Sequence, residues 1–192
     1  MKKPPDDIVA KLIEASHQFT GTGLDVSIDD VARASGVPRA TLYYYFSGKD
    51  DMLNFYLSHK LDSMSVVMEK ALASEGTVRD RLAICIRAVL TAMAEQPALC
   101  IELPEALKRA RANYSEVALK ADATMRQPMK ELLIEGKANG ELAVPDVDLT
   151  IDAIQGAVSQ TAMMRLMSPE GLDPDAVADA LIPMIVGGLS SD

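Results

Sequence analysis

The stretch SIDDVARASGVPRATLYYYFSGKDDML, running from Ser27 to Leu53, constrains the fold of this chain more than any other. It reads as a short helix, a tight turn, a second helix and the start of a third. Ser27 is a good N-cap, and Asp30 three residues on completes a capping box that satisfies otherwise orphaned backbone N–H groups. Ile28, Val31 and Ala32 share one apolar face at i, i+3 and i+4. Ser35-Gly36 ends the helix, because glycine enters the left-handed region that the residue after a helix favours. Val37 is placed to plug the turn. Pro38 restarts a helix at its first position, where its missing N–H is not needed. The layout is helix, glycine-containing turn, helix.

The second helix carries the chemistry. Leu42 and Phe46 lie four apart and turn inward, with Tyr45 read as core beside them. Arg39, Ala40, Tyr43 and Tyr44 are left on the outer side. Each suits a DNA major groove: arginine pairs bidentately with guanine and alanine touches a thymine methyl. Tyrosine donates to a base or a phosphate. We therefore assign Arg39, Ala40 and Tyr43 to base reading. Lys49 falls in the first turn of the next helix, beside the path of a flanking phosphate.

This stretch resembles the DNA-binding signature of the tetracycline-repressor (TetR) family of bacterial regulators. Ala32, Gly36 and Val37 carry the resemblance in the first helix and turn. Thr41-Leu42-Tyr43-Tyr44-Tyr45-Phe46 carry it in the second helix, and Lys49 and Leu53 beyond. The resemblance implies a three-helix DNA-binding domain over residues 1–48, with Ser27, Thr41, Tyr44 and Lys49 on phosphates. It implies a C-terminal half, residues 49–192, that binds a small effector, and a fourth helix acting as the lever between the two. Where the family often has a basic or polar residue just past the cap, this chain has Asp29.

Charge tests the DNA reading. The 192 residues carry a net charge of −9, but residues 1–60 hold only −1 of it and residues 61–192 hold −8. The acidity sits away from the helix-turn-helix. A near-neutral DNA-binding part still predicts modest affinity and few phosphate contacts. Apolar residues at 48% and charged residues at 24% are ordinary for a globular protein. No run of eighteen apolar residues is present, so no membrane span is expected. The opening MKKPPDD lacks the apolar stretch of a signal peptide, so the expected location is cytoplasmic.

Catalytic and metal chemistry find no footing. Cys85 and Cys100 have no CxxC spacing, and His17 and His59 stand far apart, so neither a zinc site nor another metal or cofactor is expected. No GxSxG, Walker loop or HExxH occurs. Glu102 and Glu105 around Pro104 read as a solvated helix start. Both cysteines read as small buried hydrophobes.

The rest of the chain is helical in period throughout, giving an all-α fold of about nine helices. A first helix is predicted from Pro5 to Thr20 with Ile8, Leu12, Ala15 and Phe19 inward. No Pro/Gly-rich linker follows the helix-turn-helix, and a long helix runs from Lys49 to Ser74. Another carries Leu82, Ile86, Val89, Leu90 and Met93 and stops at Gln96-Pro97. A basic segment follows at Lys108, Arg109 and Arg111. A helix from Tyr114 to Ala138 should kink at Pro128. Two more, around Ile151–Ala162 and from Pro174 onward, finish the chain.

Nine of the eleven methionines lie beyond Ser63. Methionine fills irregular gaps, which suits either plain core or a deformable apolar pocket between helices. Met93, Cys100, Met125 and Met129 flank the proline-broken segments and are the pocket candidates for a small apolar effector. Ile154, Gln155, Val158, Ala162 and Arg165, with Leu181, Met184, Ile185 and Gly188, are the candidates for a homodimer face. A single helix-turn-helix reads one half-site, so a palindromic operator on double-stranded DNA calls for two copies about 34–36 Å apart. The alternative is a helical adaptor that uses the Tyr-rich face on a protein partner, since tyrosine and arginine also anchor protein interfaces.

Overall fold

The computed structural model of the chain describes residues 3–16, 26–95, 97 and 116–189. Among these, nine α-helices and one π turn follow in order, with no strand. The first is α1 (Asp6–Ser16), whose opening N–H groups from Ile8 and Val9 are accepted by the Pro5 carbonyl. Its inner residues Leu12 and Ala15 are buried. The expected continuation to Thr20, with Phe19 and His17, lies outside the described residues, as do Cys100, Glu102, Glu105 and the basic segment.

Next come α2 (Ile28–Ser35) and α3 (Arg39–Tyr45). The capping box forms as read: Asp30 N–H donates to Ser27 Oγ, and Ser27 N–H donates back to Asp30 Oδ2. Gly36 follows at φ 66°, in the left-handed region. Pro38 sits one residue earlier than predicted, as the N-cap of α3, where its carbonyl accepts from Thr41 and Leu42. Leu12, Ile28, Val31, Val37, Leu42, Phe46 and Met52 form the buried N-terminal cluster.

The long α4 (Lys49–Leu72) belongs to both halves. Its first turns give Met52, Phe55 and Tyr56 to the N-terminal cluster. Its remaining turns give Leu57, Leu61, Met64 and Met68 to the C-terminal core. Tyr56 donates its hydroxyl to the Leu12 carbonyl at 3.2 Å, pinning α1 to the rod. Burial holds that phenol protonated by raising its pKa. Packing thus crosses the boundary expected at residue 48.

The C-terminal core is centred on α5 (Val78–Glu95), which packs against α4 and the three last helices. The helix expected to kink at Pro128 instead changes pitch. It runs as α6 (Glu116–Ala121), a π turn over Asp122–Arg126, and α7 (Gln127–Ala138). Gln127 N–H reaches the Asp122 carbonyl five residues back. Proline has no N–H and crowds the carbonyl four residues before it, and a widened turn just upstream absorbs that misfit. The π turn packs on α4, where Lys120 holds Asp62 at 2.6 Å and donates to Ser58 at 2.8 Å. Then α8 (Val147–Leu166) is capped by Asp146 and α9 (Pro174–Gly188) by Asp173.

Candidate nucleic-acid interface

The turn between α2 and α3 is held from inside, and this sets what faces out. Val37 fills the turn, and Leu42 and Phe46 anchor α3 with no exposed surface. Arg39 and Ala40 are exposed, as are Tyr43 at 48% and Tyr44 at 60%. These are the four residues the sequence placed outward. Tyr45 is half-buried against the N-terminal cluster, edge-on to Tyr44 with ring centroids 5.0 Å apart. Thr41 is half-buried, and Lys49 is exposed at the start of α4.

Arg39 is not loose. Its Nε lies 2.9 Å from Asp29 Oδ1, and its guanidinium carbon lies 5.4 Å from the Tyr43 ring centroid. Asp29, the second residue of α2, thus reaches across the turn to the first residue of α3. No local pattern announces this pairing, because ten positions and a turn separate the two residues.

Ser27 caps α2. Its N–H and its hydroxyl both donate to Asp30 Oδ2. Those donors hold the Asp30 carboxyl below its ordinary value of 3.8. The hydroxyl expected on a phosphate is therefore already committed to the cap. Ser47 does the same for α4, donating to Asp51 and lowering the carboxyl there. Four carboxylates, Asp29, Asp30, Asp50 and Asp51, flank the Arg39–Lys49 surface.

In the C-terminal half the structure departs further from the expectations. Met93 and Met129 are closed into the core and Met125 packs against it. None of the three lines the open groove of about 650 Å³ that runs along α5 between α4 and α9. Its apolar walls include Val67, Ile84, Ala88, Ala92, Ile182 and Pro183, with Arg87 at the rim. Arg87 is held there by Asp175 at 2.7 Å and Asp179 at 2.6 Å, which raise its pKa. The nominated dimer residues Ile154, Val158 and Ala162 point into the chain's own core, and Leu181 and Ile185 are partly buried against it. On α8 the aliphatic stripe is buried, in a helix that packs on α5, while Asp148, Asp152 and Gln160 lie on the exposed side. Of the nominated set Arg165 and Met184 are exposed, and Met164 and Met167, which were not nominated, are also more than half exposed. Cys85 is fully buried, and burial pushes its thiol up to about 11. Among the described residues no helix is long and apolar enough to cross a membrane.

Comparison with known proteins bears on both halves. Residues 12–54 match the family model "Bacterial regulatory proteins, tetR family". Residues 75–189 match "Tetracyclin repressor-like, C-terminal domain". The Fatty acid metabolism regulator protein of Bacillus subtilis is 25% identical over 167 residues, covering 84% of each chain. The crystal structure of the transcriptional regulator FadR from Bacillus subtilis in complex with stearoyl-CoA aligns with TM-score 0.76 at 23% identity. That alignment covers 94% of this chain and 99% of the other. The ketosteroid transcriptional regulator KstR2 of Mycobacterium tuberculosis aligns with TM-score 0.75 at 20% identity, covering 99% and 98%.

Proposed function

The chain belongs to the tetR family of bacterial regulatory proteins, and from that premise we propose a ligand-released transcriptional repressor that reads a palindromic operator through α3. The observation that carries this reading is the outward set Arg39, Ala40, Tyr43 and Tyr44 on a helix whose other side is locked into a core. Arg39, Ala40 and Tyr43 read bases, while Thr41, Tyr44 and Lys49 meet phosphates. Two copies pair through the exposed methionine face of α8 and α9, so that two α3 helices enter successive major grooves. The protein works in the cytoplasm, where the operator is.

The effector is a long-chain acyl thioester, held in the C-terminal half. The relative named for fatty acid metabolism and the fold neighbour that holds stearoyl-CoA support this class. The effector acts by its differential affinity for the dimer shape that does not fit DNA. The rod α4 couples the two halves, because one helix contributes side chains to both cores.

Selection of bound duplexes from a random library by the purified protein tests the reading. A palindromic motif, with binding that weakens steeply as salt rises, is the expected result. Release of that duplex by a long-chain acyl-CoA, and not by a steroid, checks the effector class. Selection that yields no motif at any salt would overturn the DNA reading.

A further inference from the structure

We infer that Asp29 is the positioning residue for base reading: it holds the Arg39 guanidinium in place on the Tyr43 ring so that the arginine reads bases instead of joining a phosphate. The inference rests on the proposed reading of α3 as the DNA-reading helix.

The guanidinium is fixed from two directions. Asp29 Oδ1 stands 2.9 Å from Nε, and the guanidinium carbon lies over the Tyr43 ring, 5.4 Å from its centroid. Among the described residues the two Nη groups have no partner, and that is the edge a bidentate guanine contact can use. An arginine already ordered in this way loses less freedom on binding. Both Arg39 and Asp29 keep roughly half their side-chain surface open, at 61% and 46%, so DNA can reach the pair.

As an acid in the first turn of α2, Asp29 suits the positive end of that helix, and the ion pair is a separate matter. An ion pair this exposed contributes little to stability. Asp29 Oδ1 is itself closed off from solvent and receives no hydrogen bond, the one buried side-chain N or O atom in that state among the described residues. A carboxylate on a DNA-facing surface also repels the backbone, a penalty that falls equally on every sequence. Selectivity is a difference of affinities, from which a penalty common to every sequence cancels, so it is the orienting of the reader that raises that difference.

The test uses the full chain, its selected duplex and a scrambled duplex of the same composition, titrated across a salt series. Asp29→Ala should lower the preference for the selected duplex roughly five- to tenfold, mostly by tighter scrambled binding. Its salt slope should steepen by about one, as the released Arg39 finds a phosphate. Arg39→Ala should lose the preference without that steepening. Asp29→Ala added to Arg39→Ala should change the preference no further, and Asp29→Glu should restore part of it. If a melting curve shows that Asp29→Ala loosens α2, Asp29→Asn serves in its place. Should Asp29→Ala leave preference and slope as they are while Arg39→Ala lowers the preference, Asp29 positions nothing. The same conclusion follows if Asp29→Ala lowers the preference equally in the Arg39→Ala background, since the effect would then not run through Arg39. An Arg39→Ala variant that binds like the parent would instead remove the reading of α3 on which the inference rests.

Discussion

The two cores that meet on α4 are made of the same kind of helix but assembled over different distances. Among the described residues the N-terminal cluster draws seven buried residues from Leu12 to Met52, most of them in or next to the short helix-turn-helix. Among the described residues the C-terminal core draws twenty-five buried ones, from Leu57 to Ala178. In the small core each side chain is a large share of the whole, and its position follows from neighbours a few residues away. In the large core, position follows from which helix packs on which. The comparison teaches that a short motif locks its outward face through local rules, whereas a bundle chooses its outward face only on assembly.

The sharpest break of this comparison is Phe46→Ala. Truncating a fully buried phenylalanine costs about 3–5 kcal/mol, which a seven-residue core cannot absorb. Duplex binding should vanish while the C-terminal half keeps a cooperative melting transition. A single transition shifted as a whole would mean that α4 fuses the two cores into one unit. Next in size is Gly136→Ala in α7. The added carbon would stand 2.6 Å from Leu142 and 3.1 Å from Val78 side-chain atoms. Overpacking of about 1–3 kcal/mol is expected in urea unfolding of the bundle, with duplex affinity at moderate temperature unchanged.

Gly36→Ala probes the N-terminal half in the opposite manner. Nothing lies within 4 Å of the added carbon, but φ is 66°, so the cost is conformational alone, about 1–2 kcal/mol. It should appear in stability and, through the shifted angle of α3, in duplex affinity. Smaller again is the cap. Ser27→Ala should lose about 0.5–2 kcal/mol, and Ser27→Gly only a few tenths. If the hydroxyl serves the cap alone, Ser27→Gly binds the selected duplex like the parent. Weaker binding at unchanged stability would show that the hydroxyl leaves Asp30 for a phosphate.

The smallest effect is a pH effect in the bundle. Lys130 and Arg126 hold the Asp148 carboxyl below its ordinary 3.8. The folded chain therefore keeps that proton less readily than the unfolded chain. The stabilisation is present above pH 3.8 and fades as pH falls through the folded value. Asp148→Asn should flatten the acid limb slightly, since the group is exposed and screened. Circular dichroism between pH 5 and pH 2, ranges of the order set by carboxylate titration, would register it.

How much was legible differs by region for the same reason. The capping box, the glycine at positive φ, the plug Val37 and the outward set on α3 all follow from residues no more than four apart. Asp29 on Arg39 did not, because the pairing depends on the angle at which two helices meet. In the bundle, Ile154, Val158 and Ala162 formed an apolar stripe that suits a partner or the interior equally well. Only the position of α5 beneath them decides for the interior. Met93 and Met129 likewise read as pocket or core until neighbouring helices closed over them. Pro128 announced a break in the helix, but whether the break became a kink or a π turn depended on α4 packed alongside.

Helix boundaries, caps, the helix-turn-helix and the chemistry on its outer face were determined by the sequence alone, since period and capping act within a turn or two of one helix. Tertiary structure decided which apolar stripe faces inward on α8 and α9, where an open groove remains, and which carboxylate meets Arg39. Burial is a competition among all the faces of the chain at once, and its outcome is settled only when the helices are in place.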